Sequence, residues 1–509
     1  MANGSDLGGG CHLMGSYFIG LDAGSSLCKA AVFTADGRQL SEARRKTPLS
    51  RPHNGWVEAD PDACWRAVCD VLRQAVAESG VSPDQIGGLG LSAAMVGAWV
   101  VDAQGNALRP GINWEDNRSQ PLIDEMVQDN PDVMSRIFQS SGSALQQGCT
   151  LPVLAWLDRH EPDLLNRAAY VFGYKDYLRM RLTGQAATDR TEASVAPGDA
   201  AEQGRSEQMI ALFGLGHRRD LLPKVRESGE LAGGLTAGAA TATGLPQGLP
   251  VAIGAGDVPS MVIGAGGLAN QEVTAVLGTT CMIGTCLDRP MFEPANIGLL
   301  FSLPDGHWFR AMVNVAGTLN LDWVISVLTP DLAEDPDRYD AVTAMAERSA
   351  IGANGVVYLP YLSESGIIAP VVAPDARAQF ANLSARHNRD DMIRAVFEGV
   401  AFAMRDLIAL LPGKSESLRL TGGGSQSSFW SQMIADILQM EVRVPRGSEF
   451  GARGAALLAA TAVGQFADVT AASRAVDEAE ACYLPDSTRR SAYDAGYRLY
   501  CEARDHLLR

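Results

Sequence analysis

Long apolar runs are missing from this sequence. No uninterrupted stretch reaches the ~18 residues that a membrane span requires, and the Gly/Ala-rich stretch from Val251 is broken at Asp257. Basic clusters are missing too. Lys and Arg number 42 against 59 Asp and Glu, a formal charge of -17 with no Lys/Arg block to offset it, which excludes a nucleic-acid partner. The 9 cysteines are odd in number and scattered, and Cys64 with Cys69, or Cys281 with Cys286, are too far apart for a usual zinc knuckle. That excludes a disulfide framework and leaves reduced thiols packed as small hydrophobes. The Gly-rich stretch before Tyr17 lacks both a basic start and an apolar core, so the sequence predicts a flexible extension over 1–13 rather than a signal peptide, and a cytoplasmic chain. Aromatic residues reach only 6%; the 46% hydrophobic and 20% charged content of these 509 residues is that of a globular protein with room for two to four domains.

The texture changes at Tyr17. YFIGLDAGSSLCKAAVFTADG reads as a buried strand, a small-residue loop at Ala23-Gly24-Ser25-Ser26, and a second strand ending in the Asp36-Gly37 turn. Trp65 to Ala77 is helical, with Trp65, Val68, Leu72 and Val76 on one face behind an Asp60-Pro61 start signal. IGGLGLSAAM is another apolar strand, and the alternation predicts an α/β layer architecture. From about Leu122 to Leu231 the chain is more polar, as expected for helices inserted on that core. After the Gly/Ala/Thr-rich stretch Ala232–Gly248, the first texture returns: VTAVLGTTCMIGTCLD, from Val273 to Asp288, repeats the strand, loop, strand pattern. A long helix over Asp390–Leu411 and a strand running into a triple-Gly loop follow. The expectation is two homologous α/β halves facing each other across a cleft, divided as 14–253 and 254–509.

Two repeated turns carry the first chemistry. Phosphate needs backbone N–H groups aimed at it and no Cβ atoms in the way; Gly24-Ser25-Ser26 and Gly278-Thr279-Thr280 supply both, with hydroxyl donors added. Either turn alone reads more readily as a plain β-turn; the duplication points to a clamp on a nucleotide. Lys29 could add a cation to the same phosphates, and Asp22, at the strand end, is placed to hold Mg²⁺ through waters. Asp257 ends an apolar strand in GAGD, where solubility does not call for a carboxylate. It reads as a general base for phosphoryl transfer, or locally as a helix N-cap ahead of Val258-Pro259-Ser260. Gly422, Gly423 and Gly424, before Ser425-Gln426, would let backbone lie flat on a planar ligand. Gly88-Leu89-Gly90-Leu91-Ser92-Ala93 fits a dinucleotide fingerprint, but the chain runs on into another strand at Gly97–Val101 with no helix opening at the glycines.

Taken together, these motifs resemble the FGGY carbohydrate kinases, which share an actin-like, ribonuclease H-like fold with hexokinases and chaperone ATPases. The resemblance runs from Tyr17 to past Leu458 and rests on IGLDAGSSLCKAAVFTADG, INWEDNR at 112–118, KDYLRMRLTGQAATD, GAGD at 254–257 and LGTT at 277–280. It is completed by the AVFEGVAFAMRD helix and LTGGGSQSSFWSQMIADILQMEV. It implies ATP and Mg²⁺ as cofactors, Asp257 as the catalytic base and Asp22 as the metal-organising carboxylate. Gly24, Ser25, Ser26 and Lys29 fall on its first phosphate loop, Gly278 and Thr279 on its second, and Gly422, Gly423, Gly424 and Gln426 on its adenosine loop. Trp114, Asp116 and Arg118 match a Trp-x-Asp-x-Arg stretch near the substrate, whose plainer reading is an Asp–Arg surface pair. Family members are often dimers, so a homodimer is the implied assembly.

The departures fall at the sugar end. Xylulokinases usually carry Gln-Met-His-Gly where this chain has Ala94-Met95-Val96-Gly97, and Val258 follows the catalytic Asp where Asn or Gln is usual. An apolar Met95–Val96 pair cannot hydrogen-bond a polyhydroxylated substrate, and an unpaired buried hydroxyl costs roughly 1–3 kcal/mol. Ser365-Gly366-Ile367-Ile368-Ala369-Pro370 replaces the usual Glu-Arg-x-Pro, and PDARAQF with LSARH is as similar to the L-xylulose and erythritol branch. The expected reaction is transfer of the γ-phosphate of ATP to a primary hydroxyl of a pentulose, D-xylulose first, with L-xylulose, ribulose, erythritol or glycerol as alternatives. A reading of another class, an actin-like ATP-binding sensor or scaffold, is opposed by Asp257 standing beside intact phosphate loops.

Overall fold

The structure is a computed structural model describing residues 17–509, so the extension expected over 1–13 lies outside the described residues. Tyr17–Ala23 has Phe18, Ile19, Leu21 and Ala23 buried, apolar on both faces, as a strand covered on both sides must be. It pairs antiparallel with Leu27–Thr34, which pairs antiparallel with Gln39–Lys46. Parallel pairing with Ile86–Ala93 needs a crossover, and the helix Pro61–Ser79 provides it. Asp60 caps that helix by accepting the Ala63 N–H, and Val68, Leu72 and Val76 are buried on the expected face. Pro250–Ala252 and Ala255–Gly256 extend the sheet in parallel on Ile86–Ala93.

The second sheet repeats this plan. Val273–Leu277, Cys281–Leu287 and His307–Asn314 form the antiparallel run, and Ser417–Thr421 then Glu441–Pro445 continue it in parallel. The duplication legible in the two hairpins is therefore a duplication of whole sheets, a mixed α/β architecture of two actin-like halves. The first sheet takes Ala255–Gly256 from beyond the 253/254 boundary expected from the sequence, and the helix Asp257–Gly264 runs on before the second sheet opens at Val273.

Two helices lie between the sheets, Asp257–Gly264 and Phe450–Ala462, packed on each other. The second also packs on Tyr17–Ala23 and Ile86–Ala93, although it belongs to the far end of the chain. Its backbone comes so close that a Cβ on Gly20 would sit 1.7 Å from the Ala452 carbonyl oxygen, and one on Gly90 equally near that of Ala455. The Gly88-x-Gly90 pattern thus serves helix packing on a strand. Between Ile86–Ala93 and Leu231–Gly234 of the first sheet, the inserted helices include Thr150–His160, Tyr174–Thr183 and Arg190–Val195. Among the described residues, no helix is long and apolar enough to cross a membrane.

Candidate active site

Both phosphate-type turns are held from behind. In the first, the Gly24 N–H donates to Leu27 O at 2.9 Å, and Thr47 ties down Gly24 O and Ser26 O at 2.7 and 3.0 Å. Ser26 is left exposed, and Ser25 Oγ accepts the indole N–H of Trp114 at 2.7 Å. In the second, the N–H groups of Gly317 and Thr318 donate to Thr279 O and Gly278 O, both at 2.7 Å, leaving Thr279 and Thr280 exposed. The triple-Gly loop joins this second turn: a Cβ on Gly422 would meet Leu277 O at 2.6 Å, and Gly424 is buried on the Leu277 side chain. Gly423 and Gln426 remain exposed beside it. The adenosine-type loop and the second turn therefore form one continuous surface.

Two carboxylates stand at the N-termini of the two central helices. Asp257 is the first residue of its helix, Gly256 taking the N-cap position, and its Oδ1 accepts the Val258 N–H at 2.8 Å. Burial, and then the negative charge of Asp22, push the Asp257 carboxyl up to about 7. Asp22 presses on Gly451, in the first turn of the other helix, and accepts the Ser92 hydroxyl at 2.8 Å. Burial raises its pKa, and Ser92 and Lys29 pull it back. Helix N-termini carry partial positive charge, so two of them meeting at one place favour phosphate there. Lys29, opposite Asp22 in the strand register, does not reach for the turns; its ammonium pairs with Glu449 at 2.9 Å, joining the two halves of the molecule. Glu449 sits directly ahead of the Phe450–Ala462 helix, so the nearest carboxylate captures the cation.

The acceptor side divides the Trp-x-Asp-x-Arg stretch in two. Trp114 is 39% exposed, whereas Asp116 and Arg118 are turned inward onto each other at 0% and 3%. Arg118 holds both Asp116 oxygens at 2.8 and 2.9 Å, reaches Glu58 at 2.7 Å and lies 3.9 Å over the Trp56 ring. Asp116 also accepts the Val57 N–H at 2.7 Å. The pair foreseen at the surface is a buried one, engaged in holding the loop that presents Trp114. Met95 and Val96 are buried, with the Met95 side chain against Gly256. Val96 has φ 57, a conformation that a β-branched residue rarely adopts.

Comparison with known proteins follows the same outline. Residues 17–264 match the family model described as FGGY family of carbohydrate kinases, N-terminal domain, and residues 273–463 match the C-terminal domain of the same family. This chain belongs to the FGGY carbohydrate kinases. It is 31% identical to a xylulose kinase of Escherichia coli, over 94% of this chain and 96% of that one. It is 30% identical to an erythritol kinase of Brucella abortus, over 96% of each. A solved xylulose kinase structure from Rhodospirillum rubrum is 28% identical and superposes with a TM-score of 0.85, covering 97% of this chain and all of that one. The protein is thus a carbohydrate kinase, a phosphotransferase with an alcohol acceptor, whose family uses ATP as phosphoryl donor.

Four residues of this kinase site escape a reading of the sequence alone. Ser92, in the strand Ile86–Ala93, donates to Asp22, and Glu449, just ahead of the helix Phe450–Ala462, sets a negative charge near it. Thr191 and Glu192, just past the KDYLRMRLTGQAATD motif, accept the N–H groups of Gly256 and Val96 at 2.9 and 2.7 Å. Their one available signal is that adjacency: hydroxyl and carboxyl side chains follow a matched motif with no surface role to explain them.

Proposed function

We propose that this kinase transfers the γ-phosphoryl group of ATP to a terminal primary hydroxyl of a small linear sugar, D-xylulose first, with Asp257 as general base. The observation that carries this is the Asp257 carboxyl itself. It stands at a helix start, one residue past the Gly256 on which the apolar Met95 rests, with its pKa pushed up to about 7, where a base can both be ionised and hold the hydroxyl proton strongly. Phosphoryl transfer asks for positioning and charge neutralisation beyond that one acceptor. The turns at Gly24–Ser26 and Gly278–Thr280 would hold the phosphates, and Gly422–Gln426 the adenosine. Trp114 would border the sugar.

Mg²⁺ fits the donor set. Asp22 and Asp257 offer hard carboxylate oxygens whose mutual repulsion a cation relieves. Among the described residues no group of three or more His, Cys, Asp or Glu forms a metal cage, which suits an ion that keeps waters and substrate phosphates as its remaining ligands. When bound, such an ion neutralises charge on the β- and γ-phosphates. A cytoplasmic site of action, where ATP is supplied, and a homodimer go with this reading.

A tetritol acceptor such as erythritol is the second reading, favoured by the buried, apolar Met95–Val96 pair, which offers no side-chain hydrogen bond. Coupled ADP release with Mg²⁺ and ATP, against pentuloses, tetritols, pentitols, glycerol and hexuloses, decides between them. Saturation by D-xylulose with erythritol inert supports the first reading, and the reverse supports the second. ADP release that ignores every sugar, together with nucleotide-dependent light scattering, would instead favour a sensor or scaffold.

A further inference from the structure

Two backbone N–H groups of the site are satisfied by neighbouring residues of one short helix. Asp189, ending the strand Thr188–Asp189, caps the helix Arg190–Val195. Its Oδ2 accepts Thr191 N at 3.0 Å, Thr191 Oγ1 at 2.7 Å and Ser228 Oγ at 2.7 Å, while its Oδ1 lies 3.1 Å from the Lys175 ammonium. The Thr191 hydroxyl, having donated its proton to Asp189, accepts the N–H of Gly256 at 2.9 Å, the residue before Asp257. Glu192 Oε1 accepts the N–H of Val96 at 2.7 Å. Thr191 is fully buried, Glu192 is 4% exposed, and Glu192 Oε2 has no partner.

We infer that Thr191 and Glu192 act as a positioning bracket, Thr191 fixing the base through Gly256 and Glu192 fixing the acceptor-side wall through Val96. The inference rests on the reading of Asp257 as base. Neither residue needs to touch substrate. A threonine hydroxyl has one proton, and Asp189, held by Lys175, takes it, so a lone pair is left facing Gly256. Serine keeps that arrangement; valine removes it at nearly the same volume. On the other arm, Val96 sits at φ 57, which persists only where its surroundings over-determine it. Freed from Glu192, Val96 can relax and carry Met95 with it. The two arms converge, because the Met95 side chain rests on Gly256, where an added Cβ would come 2.3 Å from its sulfur.

Hydrogen exchange followed by mass spectrometry tests the bracket without any choice of sugar. Thr191→Val should speed exchange in the segment 250–256 and leave 93–98 unchanged; Glu192→Leu should do the opposite. Thr191→Ser and Glu192→Gln, which keep an acceptor oxygen, should restore protection. In coupled ADP release with D-xylulose, L-xylulose, erythritol and water alone as acceptors, Thr191→Val should lower kcat by about 10–100-fold with the KM for ATP unchanged. Glu192→Leu should raise the KM for the sugar, with the KM for ATP unchanged. If Thr191→Val does not fold, Thr191→Ala takes its place. Unchanged exchange in both segments, or a serine variant as impaired as the valine one, overturns the bracket whatever Asp257→Asn does. Asp257→Asn turnover within tenfold of wild type overturns the base reading, and the bracket with it.

Discussion

Replacing Asp257 by Asn should separate the two consequences of placing a carboxyl at the cleft. The amide keeps the side chain's size and can still accept the Val258 N–H, so the helix start should stand. It cannot take the proton of an attacking hydroxyl. General-base catalysis contributes about 10²–10⁴-fold, so turnover should fall about 10³-fold, with ATP affinity by calorimetry changed less than about threefold. Stability should move the other way. The folded carboxyl ionises near 7 against an ordinary value of 3.8, so the folded state binds this proton more tightly than the unfolded one. Its stabilising contribution is full below about pH 4 and is lost as the pH rises through 7. Full conversion of that gap would be about 4 kcal/mol. The carboxyl is partly open to the cleft, and screening leaves about 1–2 kcal/mol. Asn carries no such penalty, so at pH 8 the variant's Tm should exceed wild type by about 1–4 °C, shrinking toward zero by about pH 4.5. A variant less stable than wild type at pH 8, or a gap that ignores pH, would refute the reasoning.

Three further outcomes follow from the geometry. Asp116→Ala leaves the buried Arg118 with Glu58 as its remaining carboxylate and takes the acceptor from the Val57 N–H, so it should cost about 3–5 kcal/mol by guanidinium denaturation, with the sugar KM nearly unchanged; a raised KM at unaltered stability would mean that Asp116 binds substrate. Gly20→Ala drives a Cβ to 1.7 Å from Ala452 O, so its cost should exceed the about 1–3 kcal/mol of ordinary overpacking, and a Tm within about 2 °C of wild type would show that the helix can shift freely. EDTA should abolish turnover, and Asp22→Asn should raise the half-activating Mg²⁺ concentration by about tenfold; identical Mg²⁺ titrations would remove Asp22 from the metal's environment.

Much of the molecule is legible in short windows of sequence. Alternating apolar runs and small-residue turns at Gly24 and Gly278 announce two like sheets, and the helix over Asp390–Leu411 appears as Arg389–Ile408, opened by an Asn388 capping box. Such features are local: periodicity, turn chemistry and capping act over a few residues, so a few residues encode them. What the tertiary structure decided are the partnerships. Lys29 was free to serve phosphates until the fold brought Glu449, 420 residues away, to its ammonium. Asp116 and Arg118 read as cleft residues or as a surface pair, and the segment Trp56–Val57–Glu58 buried them together. Thr191 is an unremarked hydroxyl until Gly256 lies 2.9 Å away. Sequence determined the two-sheet kinase scaffold and its motifs because local patterning carries them. Which side chains those motifs spend on one another was decided only by long-range packing, because a charge or hydroxyl pairs with whatever the closed core places beside it.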